Sequence, residues 1–294
     1  MRKTHHPPLR SRLLSQEGQF NILRKGASPF NWSDLYHLLL TLSWLRFVGM
    51  TALLYVASNT LFALVYLAGG NCIQNARPGS FADTFFFSIQ TMATIGYGAM
   101  YPRTAYGHIV VTVEALVGLV GVAMITALAF ARFSVPTARV LFSKVAVIAP
   151  DNGVPTLMFR TANERGNLIV EAQIGVTLVR NEITAEGQFM RRFHDLNLIR
   201  TRTPIFALTW TVMHPIDENS PLYEATPQTL EEQEAELVVM LTGLDETVSQ
   251  TIHARHGFAA WEILWDMRFV DIFSRTPDGR RCIDYTRFHE VTPL

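Results

Sequence analysis

The segment Thr94-Ile95-Gly96-Tyr97-Gly98 has two glycines at alternate positions, between two long apolar runs of the sequence. Glycine accepts backbone angles with positive φ, which lets successive carbonyl oxygens point to the same side of the chain. Such a row of oxygens, with the Thr94 hydroxyl at its lower end, has the chemistry to replace the water shell of a potassium ion. One chain supplies only one wall of an ion path, so this chemistry predicts a homotetramer.

The two apolar runs predict membrane-spanning helices. Residues 47–68 contain no charged side chain, and residues 107–131 carry a single acid, Glu114, and one histidine. About 20 consecutive apolar residues are enough for a helix to cross the hydrocarbon core of a bilayer. The sequence therefore predicts two transmembrane helices.

The stretch between these helices, residues 69–106, is too long for a hairpin and too apolar for a solvated loop. Ser80 and Asp83 have the spacing of a capped helix start, and Phe85 to Met92 continue without glycine or proline. Such a half-helix is too short to span the membrane. The non-helical backbone after it is tolerated at membrane depth only where protein buries it or where it lines water. We therefore predict a re-entrant pore helix followed by a selectivity filter, with the negative end of the helix dipole toward the waiting ion.

The second half of the sequence predicts an all-β domain. Alternating apolar and polar residues at 168–180, 206–214 and 236–244 have the period of half-buried strands. Turns are expected at Asp151-Asn152-Gly153 and at Pro277-Asp278-Gly279. Short antiparallel strands at this spacing are typical of a β-sandwich.

Composition and charge exclude several other functions. The sequence contains 25 lysine and arginine residues and 25 aspartate and glutamate residues. The chain therefore has no net positive charge that would attract nucleic acid. Cys72 and Cys282 form no CxxC motif, and His253 and His256 fall on opposite faces of a predicted strand, so we expect no metal site beyond potassium in the pore. Neither a nucleophile with its base nor a cofactor motif is recognisable, so we predict no enzyme activity and no cofactor.

Basic residues are distributed unevenly around the two spans. They precede the first span and follow the second, at Arg2, Lys3, Arg10, Arg12, Arg24, Lys25, Arg132, Arg139 and Lys144, with only Arg77 and Arg103 between the spans. Because basic flanks stay on the cytoplasmic side, this pattern predicts a multi-pass inner-membrane protein with both termini in the cytoplasm.

Four stretches together carry a family resemblance. They resemble signatures of prokaryotic inward-rectifier potassium channels of the KirBac type. The stretches are ATIGYG, RTANERGNLIVEA (160–172), HPIDENSPLY (214–223) and HARHGFAAWEILWDMRFVDIF (253–273). The resemblance covers nearly the whole chain and implies an immunoglobulin-like cytoplasmic domain; it also groups the chain broadly with voltage-gated channels. The expected segments are 1–30 (cytoplasmic N-terminal segment), 31–41 (slide helix), 42–133 (pore domain), 134–143 (linker) and 144–294 (regulatory β-sandwich).

Residues Asn31 to Thr41 mix Trp32 and several leucines with Asp34 and His37. This pattern predicts an amphipathic helix that lies in the membrane interface. The resemblance identifies it as the slide helix, which is coupled to gating. The alternative is that these residues simply extend the first span.

The second span is expected to line the cavity below the filter. Val122, Thr126 and Phe130 lie at i, i+4 and i+8 and so share one face of a helix. The resemblance implies that Phe130 forms the gate at the bundle crossing, and that Val122 stands where strong rectifiers carry an acid. Valine does not attract polyamine or magnesium, which argues against steep voltage-dependent block and leaves the strength of rectification open. Gly118 and Gly121 are either flexible points or sites of close helix packing, with packing the more common case.

Ionisable residues inside or next to the spans are functional candidates. Glu114 is expected to form hydrogen bonds behind the filter rather than face the ions. By resemblance, Arg132, Arg139, Lys144 and Arg165 bind anionic phospholipid or phosphoinositide, with the sign of the effect left open. The alternative for these residues is plain positive-inside anchoring.

By resemblance, Glu171 lines the cytoplasmic pore, while Thr242 occupies a position where relatives often carry an acid. A single acidic ring predicts mild focusing of cations. The leading hypothesis is thus a homotetrameric potassium channel modulated by anionic lipid. The alternative is a membrane-anchored β-sandwich that binds a partner without conducting ions; it leaves the segment before Gly98 unexplained.

Overall fold

The computed structural model describes residues 35–134, 138–275 and 277–294. These residues form two compact units, a helical unit that ends at residue 134 and a β-rich unit that begins at residue 138. The predicted N-terminal segment 1–30, the first four residues of the predicted slide helix and positions 135–137 of the predicted linker lie outside the described residues.

The helical unit contains two helices long and apolar enough to cross a membrane. They are α2 (Trp44–Ala68) and α4 (Ala105–Phe133), which extend the predicted apolar runs by a few residues at their ends. A short helix, α1 (Leu35–Thr41), precedes them. Ser43 is extended, with φ −62° and ψ 153°, so α1 is separated from α2 and does not continue the first span.

The re-entrant helix α3 (Phe81–Met92) lies between the two long helices and is 12 residues long, about 18 Å. The Ser80 hydroxyl caps it by accepting a hydrogen bond from the Asp83 amide at 3.2 Å. The Asp83 carboxylate does not complete a capping box. It accepts hydrogen bonds from the backbone and the guanidinium of Arg77, at 2.8 to 3.0 Å, which fixes the loop before the helix. The strands β1 (Ile73–Gln74) and β2 (Tyr101–Pro102) pair and bring the ends of the re-entrant segment together.

The β-rich unit contains two five-stranded sheets. In the first, the strand order is β11-β10-β6-β7, with β8 also paired to β6; in the second it is β12-β4-β5-β3, with β9 also paired to β5. All pairings are antiparallel except β12 with β4. The strands are β3 (Val140–Phe142), β4 (Ala146–Asp151), β5 (Val154–Asn163), β6 (Ile169–Ile183), β7 (Phe189–Asp195), β8 (Arg202–Phe206), β9 (Thr209–Pro215), β10 (Glu236–Asp245), β11 (Gln250–Ala259) and β12 (Ile263–Trp265).

Three smaller features complete this unit. A short helix, α5 (Pro227–Glu232), precedes β10, and two two-stranded sheets follow β12. These sheets pair β13 (Met267–Phe269) with β16 (Val291–Pro293) and β14 (Phe273–Arg275) with β15 (Arg281–Ile283).

The core of the β-rich unit lies between the two large sheets. Alternate residues of β6 and β10, such as Ile174, Leu178 and Leu241, are buried against Phe159 of β5. The predicted period of two therefore places every second side chain in the core and its neighbour outside it.

Both predicted turns are present. Asn152 and Gly153 both have positive φ and connect β4 to β5, and Gly279, with φ 82°, lies in the turn between β14 and β15. The fold class that the sequence predicts, two membrane helices with a re-entrant helix followed by a β-sandwich, is confirmed.

Candidate ion-conduction site

The filter segment, Thr94 to Gly98, has alternating backbone conformations. Thr94, Gly96 and Gly98 have φ values of 55°, 61° and 82°, whereas Ile95 and Tyr97 between them have negative φ. This alternation turns successive carbonyl oxygens to one side of the segment. All five residues are exposed in the isolated chain, so the chain itself does not cover this row of oxygens.

Both ends of the filter segment are anchored by hydrogen bonds. The amide of Ile95 donates to the Gln90 carbonyl at 2.8 Å, which ties the segment to the last turn of α3. Beyond the segment, the Asn75 amide group donates to the Ala99 carbonyl at 2.8 Å. The segment is thus held between the end of α3 and the loop that follows α2.

Glu114 of α4 is fully buried and connects the three packed helices. Its carboxylate accepts a hydrogen bond from the Tyr66 hydroxyl of α2 at 2.5 Å and contacts the Ser88 hydroxyl of α3. Ser88 in turn donates to Asn59 Oδ1 at 2.9 Å, and the Asn59 amide group lies 3.5 Å from the Met92 sulfur. The acid faces α3 and not the exposed side of α4.

Gly118, one turn below Glu114, packs against the end of α3. A Cβ atom at this position would lie 2.7 Å from the Met92 carbonyl oxygen and 3.0 Å from its Cγ. At Gly121, a Cβ atom would meet nothing within 4 Å. Of the two readings left open by the sequence, close packing therefore applies to Gly118, and Gly121 has no packing contact within its own chain.

Val122, Thr126 and Phe130 are all exposed on α4, and Phe130 is 73% exposed. Val122 also borders an apolar groove of about 660 Å³ between α2 and α4. The lower part of this face is therefore left uncovered by the chain itself, as expected for residues that meet a cavity or another copy.

Arg132, near the end of α4, has partners within the helical unit. Its guanidinium donates to the carbonyl oxygens of Leu39 and Leu42, at the end of α1. It also lies 4.9 Å from the Trp44 ring centroid and 4.8 Å from that of Phe47. This differs from the lipid contact that the resemblance implies, because the charge of Arg132 is directed at the C-terminal end of α1, where carbonyl groups attract cations.

The other basic residues of the predicted lipid site differ among themselves. Arg165 forms an ion pair with Asp245 at 3.6 Å, and that carboxylate is only 4% exposed. The arginine therefore neutralises a buried charge within the β-rich unit. Arg139 and Lys144 are exposed.

Glu171 has a partner that the sequence did not reveal. Its carboxylate forms an ion pair with Arg202 of β8, and both side chains are more than half exposed. Thr242 lies on the same face of the sheet, beside Gln173. Within this chain an arginine therefore balances the charge of Glu171, and the mild focusing of cations stays a prediction.

Other side-chain clusters do not indicate metal binding or catalysis. The described residues contain no group of three histidine, cysteine or acidic side chains that could hold a metal ion. His253 is exposed and His256 is buried, on opposite faces of β11 as predicted. His214 and Ser220 form a hydrogen bond at 2.7 Å, but both are buried and the other ring nitrogen of His214 is bonded to the Asn197 carbonyl. Burial lowers the pKa of His214, which favours the neutral form of this ring.

Several functional contacts were missed by the sequence reasoning. Asn59, Tyr66 and Ser88 are polar residues inside apolar helices. That unusual location is the feature of the sequence from which their buried contacts could have been predicted. Arg202 gave no signal, because its partner lies 31 positions earlier in the sequence.

The fold and these contacts define a class of protein: a membrane protein with two spanning helices, a re-entrant helix between them and a C-terminal β-sandwich. Family models agree with this division. The model of the inward rectifier potassium channel C-terminal domain matches residues 140–294, and a model described as ion channel matches residues 47–134.

Curated relatives extend over most of the chain. It is 51% identical to the inward rectifier potassium channel Kirbac3.1 of Paramagnetospirillum magnetotacticum, over 97% of each protein. It is 29% identical to the ATP-sensitive inward rectifier potassium channel 15 of Homo sapiens, over 96% of this chain and 82% of that protein. It is 30% identical to the human G protein-activated inward rectifier potassium channel 1, over 95% of this chain and 61% of that protein.

The chain belongs to the inward rectifier potassium channel family. These relatives are ion channels and not enzymes, and none of their names refers to voltage gating. Together with the two long apolar helices, the family places the protein in a membrane.

Proposed function

We propose that the protein is a potassium-selective channel, in which four copies of the chain surround one ion path. The observation that carries this proposal is the alternation of positive and negative φ from Thr94 to Gly98, directly after a helix that ends at Met92. Four such rows of carbonyl oxygens form the rings that take the place of water around a permeating K⁺ ion. No cofactor is required, and potassium is the permeant ion.

The proposal is tested by rubidium uptake into liposomes that contain the purified protein. Gly96→Ala should abolish uptake, because a side chain at φ 61° strains the backbone even though a Cβ atom would meet nothing within 4 Å. Gly79→Ala is the matched control, since Gly79 has φ 74° and equal space but lies before α3. The control should take up rubidium normally.

Two results would count against the proposal, and a third would reveal unfolding instead. Normal uptake by Gly96→Ala would contradict the filter assignment. Equal loss in both variants would mean that backbone strain alone unfolds the protein, which size-exclusion chromatography of the tetramer would reveal. A well-folded wild-type protein without uptake would favour the membrane-anchored binding protein over the channel.

The gate of the proposed channel is a ring formed by Phe130. The exposed phenyl group points away from its own chain, and four such rings converging on an axis leave an apolar constriction. A hydrated ion does not cross such a constriction until the helices move apart or the rings rotate.

Anionic lipid modulates the channel through Arg139 and Lys144 in this proposal. Both are exposed, and a basic residue near a membrane surface contributes about 1 kcal/mol to binding of anionic lipid. The double variant Arg139→Gln, Lys144→Gln should shift the dependence of uptake on the phosphoinositide content of the liposomes. Arg268→Gln removes an exposed arginine from β13 and should leave this dependence unchanged. An unaltered dependence in the double variant would assign both residues to positive-inside anchoring.

We place the protein in the inner membrane, with both termini and the β-sandwich in the cytoplasm. The uneven distribution of basic residues around α2 and α4 supports this orientation. Alkaline phosphatase fused after residue 294 should be inactive in cells, and the same enzyme inserted between α2 and α3 should be active. The opposite pattern would reverse the orientation.

A further inference from the structure

Glu114 and its neighbours form three oxygen-to-oxygen contacts that share only two hydroxyl protons. The Tyr66 hydroxyl contacts one oxygen of the Glu114 carboxyl group, and the Ser88 hydroxyl contacts the other. The Ser88 hydroxyl also lies 2.9 Å from Asn59 Oδ1. Each contact needs a hydrogen atom between its two oxygens, and each hydroxyl carries one proton. Three contacts therefore require one more proton than Tyr66 and Ser88 supply.

The orientation of the Asn59 amide group decides how the Ser88 proton is used. Asn59 Nδ2 lies 2.8 Å from the Tyr55 carbonyl oxygen, which can only accept a hydrogen bond. Exchanging the nitrogen and the oxygen of the amide would place two acceptors against each other there. The amide oxygen must therefore face Ser88, and because this oxygen has no proton, the Ser88 hydroxyl donates to it.

The third proton must come from the carboxyl group of Glu114. With its own proton directed at Asn59, Ser88 can only accept in its contact with Glu114. The other carboxyl oxygen of Glu114 accepts from Tyr66. The carboxyl group thus donates at one oxygen and accepts at the other, which a protonated carboxyl group can do and a carboxylate cannot.

The surroundings of Glu114 provide no cation for an ionised carboxylate. Its side chain is fully buried, and burying a charge is costly unless an opposite charge pairs with it. The titratable groups on the side of α2 are the Tyr66 phenol and the Cys72 thiol, whose Sγ lies 3.4 Å from the Tyr66 carbonyl oxygen. The charged residue of α3 is Asp83, which is paired with Arg77. None of these groups offers Glu114 a positive charge.

We infer that Glu114 is a neutral carboxylic acid whose hydrogen bond to Ser88 positions the helix that carries the filter segment. Its effect on conduction rests on the proposed function. Ser88 lies in the last two turns of α3, and the amide of Ile95 is bonded to the Gln90 carbonyl in the same part of the helix. A shift of α3 at Ser88 therefore moves the start of the filter segment. Because Glu114 is neutral, four copies place no ring of negative charge behind the carbonyl oxygens that meet the ion.

Infrared difference spectroscopy of the purified protein at neutral pH tests the protonation of Glu114. The spectrum of the wild type minus that of Glu114→Gln should contain the C=O band of a protonated carboxyl group. Glu182→Gln is the matched control. Arg180 donates to the Glu182 carboxylate at 2.8 Å and holds the pKa of Glu182 below its usual value. The control difference spectrum should therefore contain a carboxylate band instead.

Rubidium uptake into liposomes tests the positioning role. Glu114→Leu neither donates nor accepts a hydrogen bond and should lower uptake by about fivefold or more. Glu114→Gln should restore uptake, because its amide nitrogen can donate to Ser88 and its amide oxygen can accept from Tyr66. If Glu114→Leu does not form tetramers, Ser88→Ala replaces it, since this variant removes the acceptor of the same hydrogen bond.

Three outcomes would overturn the inference. The first is a carboxylate band, in place of the protonated carboxyl band, in the difference spectrum of Glu114→Gln. The second is an equal loss of uptake in Glu114→Gln and Glu114→Leu, with both tetramers intact. The third is uptake by Glu114→Leu that equals that of the wild type. If the wild type takes up no rubidium, the proposed function fails, whereas the infrared spectrum still decides whether Glu114 carries its proton.

Discussion

The close packing of Gly118 against the end of α3 leads to a prediction whose size follows from two distances. In Gly118→Ala, the added Cβ atom would lie 2.7 Å from the Met92 carbonyl oxygen. Because ordinary van der Waals contact begins at about 3.4 Å, α4 and the end of α3 must separate locally by about 0.7 Å. The oxygen belongs to the backbone, so no side-chain rotation relieves this contact.

The expected cost of this overpacking is about 1–3 kcal/mol per subunit. Met92 lies two residues before Thr94, so the displacement acts on the start of the filter segment. If the conducting arrangement bears this cost relative to a distorted one, the fraction of subunits in the conducting arrangement falls by a factor of about 5 to 150. Rubidium uptake should fall accordingly, and the tetramer should unfold at a lower temperature.

Gly121→Ala provides the matched control for this prediction. A Cβ atom at Gly121 meets nothing within 4 Å, and alanine favours a helix over glycine by about 1 kcal/mol. Uptake and unfolding temperature should therefore be retained. Equal behaviour of the two variants would refute the packing argument. Loss of uptake in Gly121→Ala alone would instead identify Gly121 as the flexible point of α4.

Three further predictions follow from the described contacts. Phe130→Ala should raise basal uptake with potassium selectivity retained; an effect from Thr126→Ala but not from Phe130→Ala would place the gate higher on α4. Glu114→Ala should lower the unfolding temperature of the tetramer, because the buried Tyr66 hydroxyl loses its acceptor at a cost of about 1–3 kcal/mol; an unchanged temperature would mean that water replaces the carboxyl group. The unfolding temperature of the wild type should fall as the pH drops below about 6.5. Burial lowers the pKa of His214 in the folded protein, so below this pH the His214 side chain of the unfolded chain binds a proton more readily than that of the folded chain. His214→Gln should reduce this fall.

The sequence by itself determined the elements of the fold. Residues 47–68 and 107–131 are long and uncharged enough to predict α2 and α4, and the glycine spacing at 94–98 predicts the backbone of the filter segment. Alternation of apolar residues predicts strands such as β6, β9 and β10, and Asp151-Asn152-Gly153 predicts the turn between β4 and β5. These signals are local, because helix length, strand period and turn conformation depend on neighbouring residues.

The partners of charged residues were decided only by the tertiary structure. Arg132 contacts carbonyl groups at the end of α1, 90 and 93 positions earlier, and Arg165 balances the buried Asp245, so each arginine has a partner that the sequence did not reveal. Glu171 is paired with Arg202 because a bulge opposite a glycine directs it there. A charge in the sequence shows that a partner or water is needed. The strand register and helix packing that select the partner arise only when distant segments meet.

Two glycines of α4, Gly118 and Gly121, also have roles that the sequence could not distinguish. Gly118 and Gly121 are three residues apart in one uninterrupted helix, and the sequence left flexibility and packing open for both. Only the position of α3 distinguishes them, because its last carbonyl lies against one glycine and not the other. The helix itself was determined by local composition, whereas the role of each glycine was determined by what packs against it.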